Sequence, residues 1–169
     1  MANIPLEIER KYLIRMPDTA LLAAQDGARV KEITQTYLSD RPGVSARVRE
    51  VVEGRETRYI YTAKRRLSTL TAEEDEREIS RAEYEAYLQS ADPARRPIHK
   101  TRYAIPYAGH VVEVDIYEFW KDRATAEIEL SREDEEAPLP PYLSLVREVS
   151  ADRRYKNAAL AREVVNEEI

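Results

Sequence analysis

The chain has 169 residues, 43% of them hydrophobic and 35% charged, and its net charge is −5 at pH 7. The length fits one domain over 1–169. The negative net charge gives no overall basic field of the kind that attracts nucleic acid. The chain contains no cysteine and two histidines, which excludes disulfides and thiolate or His-rich metal sites, so any metal must be held by carboxylates, as Mg²⁺, Mn²⁺ or Ca²⁺ are. No segment has the ~20 apolar residues of a membrane span and no apolar signal-peptide run occurs, so we expect a soluble, cytoplasmic protein with no membrane partner.

Polar and apolar residues alternate with period two along most of the chain, a pattern typical of β-strands. The alternation predicts eight strands, at 4–15, 29–38, 45–52, 57–65, 72–79, 97–106, 110–119 and 124–131. Three helices are expected at 19–25, 81–90 and 156–166, the first capped by Asp18 and the second by a Ser80–Glu83 capping box. Eight antiparallel strands can close without exposed edges. We therefore predict a mainly β, α+β fold, a closed eight-stranded antiparallel β-barrel with a few packing helices.

The polar faces of these strands are unusual because their charges are sorted by sign. The acidic sets are Glu7 and Glu9, Glu74 with Glu76 and Glu78, Glu113 and Asp115, and Glu127 and Glu129; the basic sets are Arg47 and Arg49, Arg58 and Lys64, and Lys100 and Arg102. In any single strand, a charged face is more often exposed to solvent than buried. An ordinary exposed surface, however, mixes positive and negative residues within each strand. Paired carboxylates repel unless a cation lies between them. We predict a barrel interior with an acidic side that binds a metal and a basic side that binds phosphates.

The opposite faces of the strands are apolar, as in Leu6 and Ile8 or in Val112 and Val114. If the charges face inward, these apolar faces must point outward, against the three helices. Exposed apolar faces need cover, so a homodimer is an open alternative for the assembly.

Several motifs of the chain resemble, in the same order, those of the triphosphate tunnel metalloenzymes, also called the CYTH superfamily. The segment from Glu7 to Lys11 matches the Glu-x-Glu-x-Lys signature of that family. Further matches are Arg47-x-Arg49, Thr62-x-Lys64, Lys100-x-Arg102-Tyr103, Glu113-x-Asp115, Glu127-x-Glu129, Glu148-Val149-Ser150 and Tyr155-x-Asn157-x-x-Leu160. The resemblance covers about residues 3–162, and the segments 64–66 and 118–123 depart from the family pattern.

The resemblance implies hydrolysis of a triphosphate with Mg²⁺ or Mn²⁺ as cofactor. The implied metal ligands are Glu7, Glu9, Glu127 and Glu129, with Asp115 and Glu113 helping to hold a second metal or to orient the attacking water. The implied phosphate-binding residues are Lys11, Arg47, Arg49, Lys64, Lys100, Arg102 and Lys156. Catalytic roles are implied for Glu9, Lys11, Glu113 and Asp115, and Glu76 and Glu78 are further candidates on the acidic fifth strand.

Three functions are open at this stage. The first is an inorganic triphosphatase that splits tripolyphosphate into pyrophosphate and phosphate, by analogy with the small bacterial members of the family. The second is a nucleoside or thiamine triphosphatase or an adenylate cyclase, with a base stacked on Tyr59, Tyr61, Tyr103, Tyr107 or Trp120. The third is a non-catalytic regulator that binds a nucleotide or polyphosphate. Every carboxylate of the signature is present, which favours an enzyme.

Overall fold

The computed structural model describes residues 3–39 and 41–169. Nine strands form one antiparallel sheet: β1 Leu6–Arg15, β2 Arg29–Tyr37, β3 Ser45–Glu53, β4 Glu56–Arg66, β5 Thr71–Ile79, β6 Ile98–Tyr107, β7 His110–Tyr117, β8 Arg123–Glu129 and β9 Leu145–Glu148. The helices are short: α1 Thr19–Ala23, α2 Arg81–Leu88 and α3 Asn157–Leu160. No helix in these described ranges is long and apolar enough to cross a membrane.

The barrel closes because β1 pairs along both of its edges. One edge pairs with β8 from Glu9 to Arg15. The other edge pairs with β5 near Leu6 and then with β9 near Tyr12. The strands follow the order β5-β4-β3-β2-β6-β7-β8-β1 around the ring, and the β1–β5 pairing closes it. The predicted eight-stranded barrel is confirmed; β9 was not predicted, because four residues are too few to show an alternation.

Two of the three predicted helices begin where the sequence indicated. The Asp18 side chain accepts from two amides at the start of α1, and Ser80 and Glu83 form the capping box of α2. The prediction for the third helix is wrong in length, because α3 ends at Leu160 and 161–169 form no helix. Val164, in this irregular segment, packs against the apolar cluster that contains Trp120 and Tyr155. Its apolar spacing therefore reflects burial and not helical periodicity.

The apolar outer faces of the barrel are covered by the chain itself. Leu22 of α1 and Leu143 of the segment 130–144 pack on the outer faces of β6, β7 and β8. On the far side α2 places Tyr84 against Tyr59 of β4, with ring centroids 4.8 Å apart. Burial of one large apolar side chain contributes about 1.5–3 kcal/mol. The hydrophobic core thus lies largely outside the barrel wall, which leaves the interior free for charged groups, and the homodimer stays a prediction.

A separate apolar cluster lies at the barrel end where β2 and β7 finish. It is built from Leu13, Tyr37, Ile98, Tyr117, Trp120, Val149, Tyr155, Leu160 and Ala161. The Trp120 indole N–H donates to the backbone carbonyl of Val165 at 2.9 Å, which ties the segment 161–169 to this cluster. The end of the barrel is therefore filled by aromatic rings and by the last part of the described chain.

Candidate active site

The barrel surrounds a charged cavity of about 610 Å³. Most of the predicted site residues line it: Glu7, Glu9, Lys11, Arg47, Arg49, Lys64, Glu76, Arg102, Glu113, Glu127, Glu129 and Lys156. Successive side chains of a strand point to opposite faces, so residues two apart enter the same space. The charged strand faces therefore point inward, which is the reverse of an ordinary barrel and is the arrangement that the sequence predicted.

The acidic side of the cavity is formed by the neighbouring strands β7, β8 and β1. The strand register places Glu9 opposite Glu129 and Lys11 opposite Glu127. On the other edge of β8, Glu113 lies opposite Glu127. Carboxylates from three adjacent strands are thus brought side by side by backbone pairing alone.

Burial and crowding shift the pKa values of the central carboxyl groups. Burial, followed by the negative charge of Glu127, raises the pKa of Glu9 to about 8. Burial also acts against ionisation of Glu127, but the charges of Lys11 and Arg102 and a hydrogen bond from Glu9 hold its pKa well below the ordinary value. At neutral pH Glu9 therefore keeps its proton, and its hydroxyl donates a hydrogen bond to the Glu127 carboxylate. Two adjacent carboxyl groups, one of which keeps its proton, are suited to binding a cation, because a cation between them would let both ionise.

A divalent cation would compensate the charge of both carboxylates. Burial, with the charges of Glu7 and Glu113, also raises the pKa of Glu129. Several carboxylate oxygens with no sulfur or imidazole suit a hard ion such as Mg²⁺ or Mn²⁺, so the donor set fits. Within 3–39 and 41–169, no three Asp, Glu or His side chains are already gathered closely enough to ligate one ion. Ligation would therefore require side-chain rotation inside the cavity.

The basic side of the cavity lies across the ring, because β4, β3 and β2 face β7, β8 and β1 in the strand order. Its cations are paired with carboxylates. Arg49 Nη2 donates to Glu76 at 2.9 Å, and Lys64 Nζ lies 2.6 Å from Glu7 and 3.1 Å from Glu74. An incoming polyanion would therefore compete with these carboxylates for contacts to Arg49 and Lys64.

Arg49 is buried and lies near a second positive charge, that of Arg47. Burial, followed by the positive charge of Arg47, lowers the pKa of Arg49 to about 10. Two guanidinium groups held near each other in a buried place repel. An anion bound between them would relieve this repulsion, which makes the pair a suitable phosphate contact.

Two predicted site residues, Lys100 and Asp115, are buried and do not line the cavity. Their side chains are both 0% exposed and joined at 2.8 Å. Asp115 also accepts from Arg102 Nε at 2.7 Å, and Arg102 Nη1 donates to Glu113 at 2.9 Å. Burial lowers the pKa of Lys100 to about 7. Both oxygens of Asp115 are thus used by cations, and the chain of ion pairs reaches the cavity only at Arg102 and Glu113.

The fifth strand divides its acidic residues between two places. Glu76 lines the cavity. Glu78 is half-exposed at the rim and pairs with Arg58 at 2.9 Å. The structure therefore brings Glu76, but not Glu78, together with the other predicted site residues.

The cavity lining also includes basic residues that sequence reasoning missed: Arg29, Lys31, Arg41, Arg66 and Arg95. Arg66 is in phase with Lys64 on β4, but the predicted strand stopped one residue before it. Arg29 and Lys31 alternate on β2, where the apolar Ile33 that follows them on the same face hid the charged pattern. Arg41 and Arg95 lie outside the strands, where no periodicity could reveal them.

Comparisons with known proteins bear on the fold of the chain. Neither the protein-family models nor the curated proteins match the chain. Among solved structures, the inorganic triphosphatase NE1496 is similar over 98% of this chain and 99% of its own, with 28% identity and a TM-score of 0.58. The PH1819 protein from Pyrococcus horikoshii OT3 aligns over 76% of this chain and 80% of its own, with 17% identity and a TM-score of 0.59, which shows the fold alone. The resemblance seen in the motifs is thus confirmed, and the chain has the fold of the triphosphate tunnel metalloenzyme superfamily.

Proposed function

We propose that this protein is a divalent-metal-dependent triphosphatase that hydrolyses inorganic tripolyphosphate to pyrophosphate and phosphate inside the barrel. The observation that carries the proposal is the two-sided cavity, with carboxylates of β1, β7 and β8 facing the cations of β3 and β4. Its likeness to an inorganic triphosphatase over nearly the whole chain supports the same substrate class.

The cations of the cavity would bind and orient the phosphates. Phosphoryl transfer depends mainly on positioning and on neutralising charge. Arg47 and Arg49 can make bidentate contacts to phosphate oxygens, and Lys64 adds a mobile point charge. Arg102 lines the cavity and is held there by Asp115 and Glu113, so its guanidinium has little freedom to move. Such preorganised donors stabilise developing charge without reorganisation during the reaction.

The carboxylates Glu7, Glu9, Glu127 and Glu129 would hold Mg²⁺ or Mn²⁺. When bound, such an ion neutralises phosphate charge and lowers the pKa of a coordinated water. Glu113, whose carboxylate already accepts from Arg102, is placed beside this group and can accept a hydrogen bond from the attacking water. The proton of Glu9 leaves when the carboxylate takes up a cation.

The aromatic residues favour an inorganic substrate over a nucleotide. Every stacking candidate from the sequence lies outside the cavity lining: Tyr59, Tyr61, Tyr103, Tyr107 and Trp120. Among the described residues the lining contains one aromatic side chain, Tyr37, which is 5% exposed and packs in the apolar cluster at the barrel end. A nucleobase would therefore lack an exposed ring on which to stack.

A substrate panel tests the proposal. Phosphate release is measured from tripolyphosphate, ATP, GTP, thiamine triphosphate and pyrophosphate, each with Mg²⁺, Mn²⁺ or EDTA. We expect metal-dependent turnover of tripolyphosphate and little from the organic triphosphates. If the protein prefers an organic triphosphate, that compound becomes the substrate and the assignment of tripolyphosphate is wrong. Tight binding with no turnover of any compound would mean that the barrel is a receptor.

Arg49→Ala should lower kcat/KM for tripolyphosphate by about a hundredfold or more, the usual scale for losing one preorganised charge-stabilising donor. Thermal stability should stay near wild type, because the substitution removes the repulsion from Arg47 together with the ion pair to Glu76, whose half-exposed carboxylate stays hydrated. The matched control is Arg65→Ala on the neighbouring strand β4, whose partner is Glu73 on the outside of the barrel. Full activity of Arg49→Ala, measured by phosphate release, would contradict the phosphate-binding role.

Binding of tripolyphosphate should depend on the protonation of Lys156. Burial, followed by the positive charges of Arg66 and Lys11, lowers the pKa of Lys156 to about 8. A bound polyanion favours the ammonium form, so affinity is lost as pH rises through 8, by up to about tenfold per pH unit for one proton. Lys156→Arg keeps its charge and should bind with less pH dependence between 8 and 10.

Calorimetric titration in EDTA measures this effect without turnover. Other groups titrate in the same range, and the difference between wild type and Lys156→Arg isolates Lys156. Parallel pH profiles for the two proteins would show that Lys156 does not contact the phosphates.

A further inference from the structure

The segment 161–169 is fastened to the barrel end through one carboxylate. Glu167 accepts from the Tyr155 hydroxyl at 2.6 Å and from Arg147 Nη2 at 2.8 Å. Arg154 Nη2 adds a third donor at 3.3 Å. Three donors on one side chain fix it firmly, and two of them come from the short stretch that leads into α3.

Tyr155 connects this carboxylate to the cavity. Its side chain is fully buried in the apolar cluster at the barrel end. Its backbone carbonyl accepts from the Lys11 ammonium at 2.7 Å, and the residue that follows it, Lys156, lines the cavity. The Lys11 ammonium also lies 3.4 Å from Glu127 on the acidic side. The positions of two cavity cations thus depend on where Tyr155 sits.

We infer that Glu167 is a positioning residue, which holds Tyr155 and thereby fixes the Lys11 and Lys156 ammonium groups where a triphosphate binds. The inference rests on the proposed function, since it requires a polyanion in the cavity. Glu167 does not itself line the cavity, so it acts through Tyr155 and its neighbours.

Other contacts keep the segment in place when the Glu167 side chain is removed. The backbone carbonyl of Glu167 accepts from Arg123, and the backbone carbonyl of Val165 accepts from Trp120. Neither contact uses the carboxylate. Glu167→Ala is therefore expected to fold with the segment attached. The Tyr155 hydroxyl loses its acceptor in Glu167, while Arg147 and Arg154 keep their ion pairs with Asp152.

The test compares Glu167→Ala with the matched control Glu168→Ala, an exposed neighbour. Tripolyphosphate binding is measured by calorimetry in EDTA, and kcat and KM are measured with metal. We expect Glu167→Ala to raise the Kd about tenfold or more, which corresponds to about 1.4 kcal/mol, and to raise KM more than it lowers kcat. Glu168→Ala should stay within about twofold of wild type by the same scale.

A double-mutant cycle with Lys156→Met separates positioning from general stability. If Glu167 acts through Lys156, Glu167→Ala should weaken binding less in the Lys156→Met background than in wild type. Additive effects, or a Glu167→Ala protein with a lower Tm and an unchanged Kd, would overturn the inference. No binding and no metal-dependent turnover of tripolyphosphate by the wild type would overturn the proposed function and this inference with it, whereas equally tight binding by wild type and Glu167→Ala would overturn the inference alone.

Discussion

Glu9→Gln is expected to lower tripolyphosphate turnover by more than about a hundredfold while leaving the protein folded. Loss of an outer-sphere partner of a metal ligand alone costs about 10- to 100-fold, and Glu9 is proposed as a direct ligand. Glutamine keeps the size and one acceptor oxygen of the side chain but cannot ionise when a cation enters. Phosphate release under saturating Mg²⁺ or Mn²⁺ measures the loss.

The stability of Glu9→Gln should differ from wild type in its pH dependence. The pKa of Glu9 is about 8 in the folded protein and near 4.5 as a free side chain. Between these values the folded state binds more protons than the unfolded state, so wild-type stability without metal falls as pH rises from 4.5 to 8. Glutamine carries no such proton. Glu9→Gln should therefore match the wild type at pH 4 and exceed it at pH 8 in urea unfolding with EDTA.

The matched control is Glu148→Gln on β9, whose carboxylate pairs with Arg10 outside the cavity. It should keep wild-type turnover and the wild-type pH profile of stability. Wild-type turnover in Glu9→Gln would remove Glu9 from the metal site. A lost activity together with a low Tm at pH 8 would instead make Glu9 a structural residue.

Most of the site could be predicted because the strands alternate. In β1 the spacing of Glu7, Glu9 and Lys11 assigns all three to one face, and antiparallel pairing brings Glu129 and Glu127 beside them whatever the details of packing. The family motifs supplied the roles. Neither argument required knowledge of the core, which explains why the charged interior was predicted although it reverses the usual arrangement.

Depth along the barrel could not be predicted in the same way. Period two assigns Lys100 and Arg102 to the same face, but it does not say that Lys100 is buried outside the cavity lining, against Asp115 and the Tyr117 ring. That position depends on the apolar cluster at the barrel end, which recruits residues from several strands and from 155–165. The irregular segment around Glu167 has no periodicity, so its contacts could be known only from the fold.

Asp115→Asn is expected to lower the free energy of unfolding by about 3–5 kcal/mol, the usual cost of removing one partner from a buried ion pair. For a chain of this length this corresponds to a fall in Tm on the order of 10 °C. Both oxygens of Asp115 accept from cations, Lys100 and Arg102, and the side chain is completely buried. Thermal and urea unfolding measure the effect.

Lys100→Met provides the contrast that identifies the role of Asp115. It leaves Asp115 paired through both oxygens with Arg102, so charge remains compensated and the loss of stability should be clearly smaller than in Asp115→Asn. Glu113→Gln, at the cavity end of the same chain of ion pairs, should lower turnover with little change in Tm. If Asp115→Asn keeps the wild-type Tm but loses turnover, Asp115 takes part in the chemistry, as the family resemblance implied, and does not act chiefly by holding Arg102.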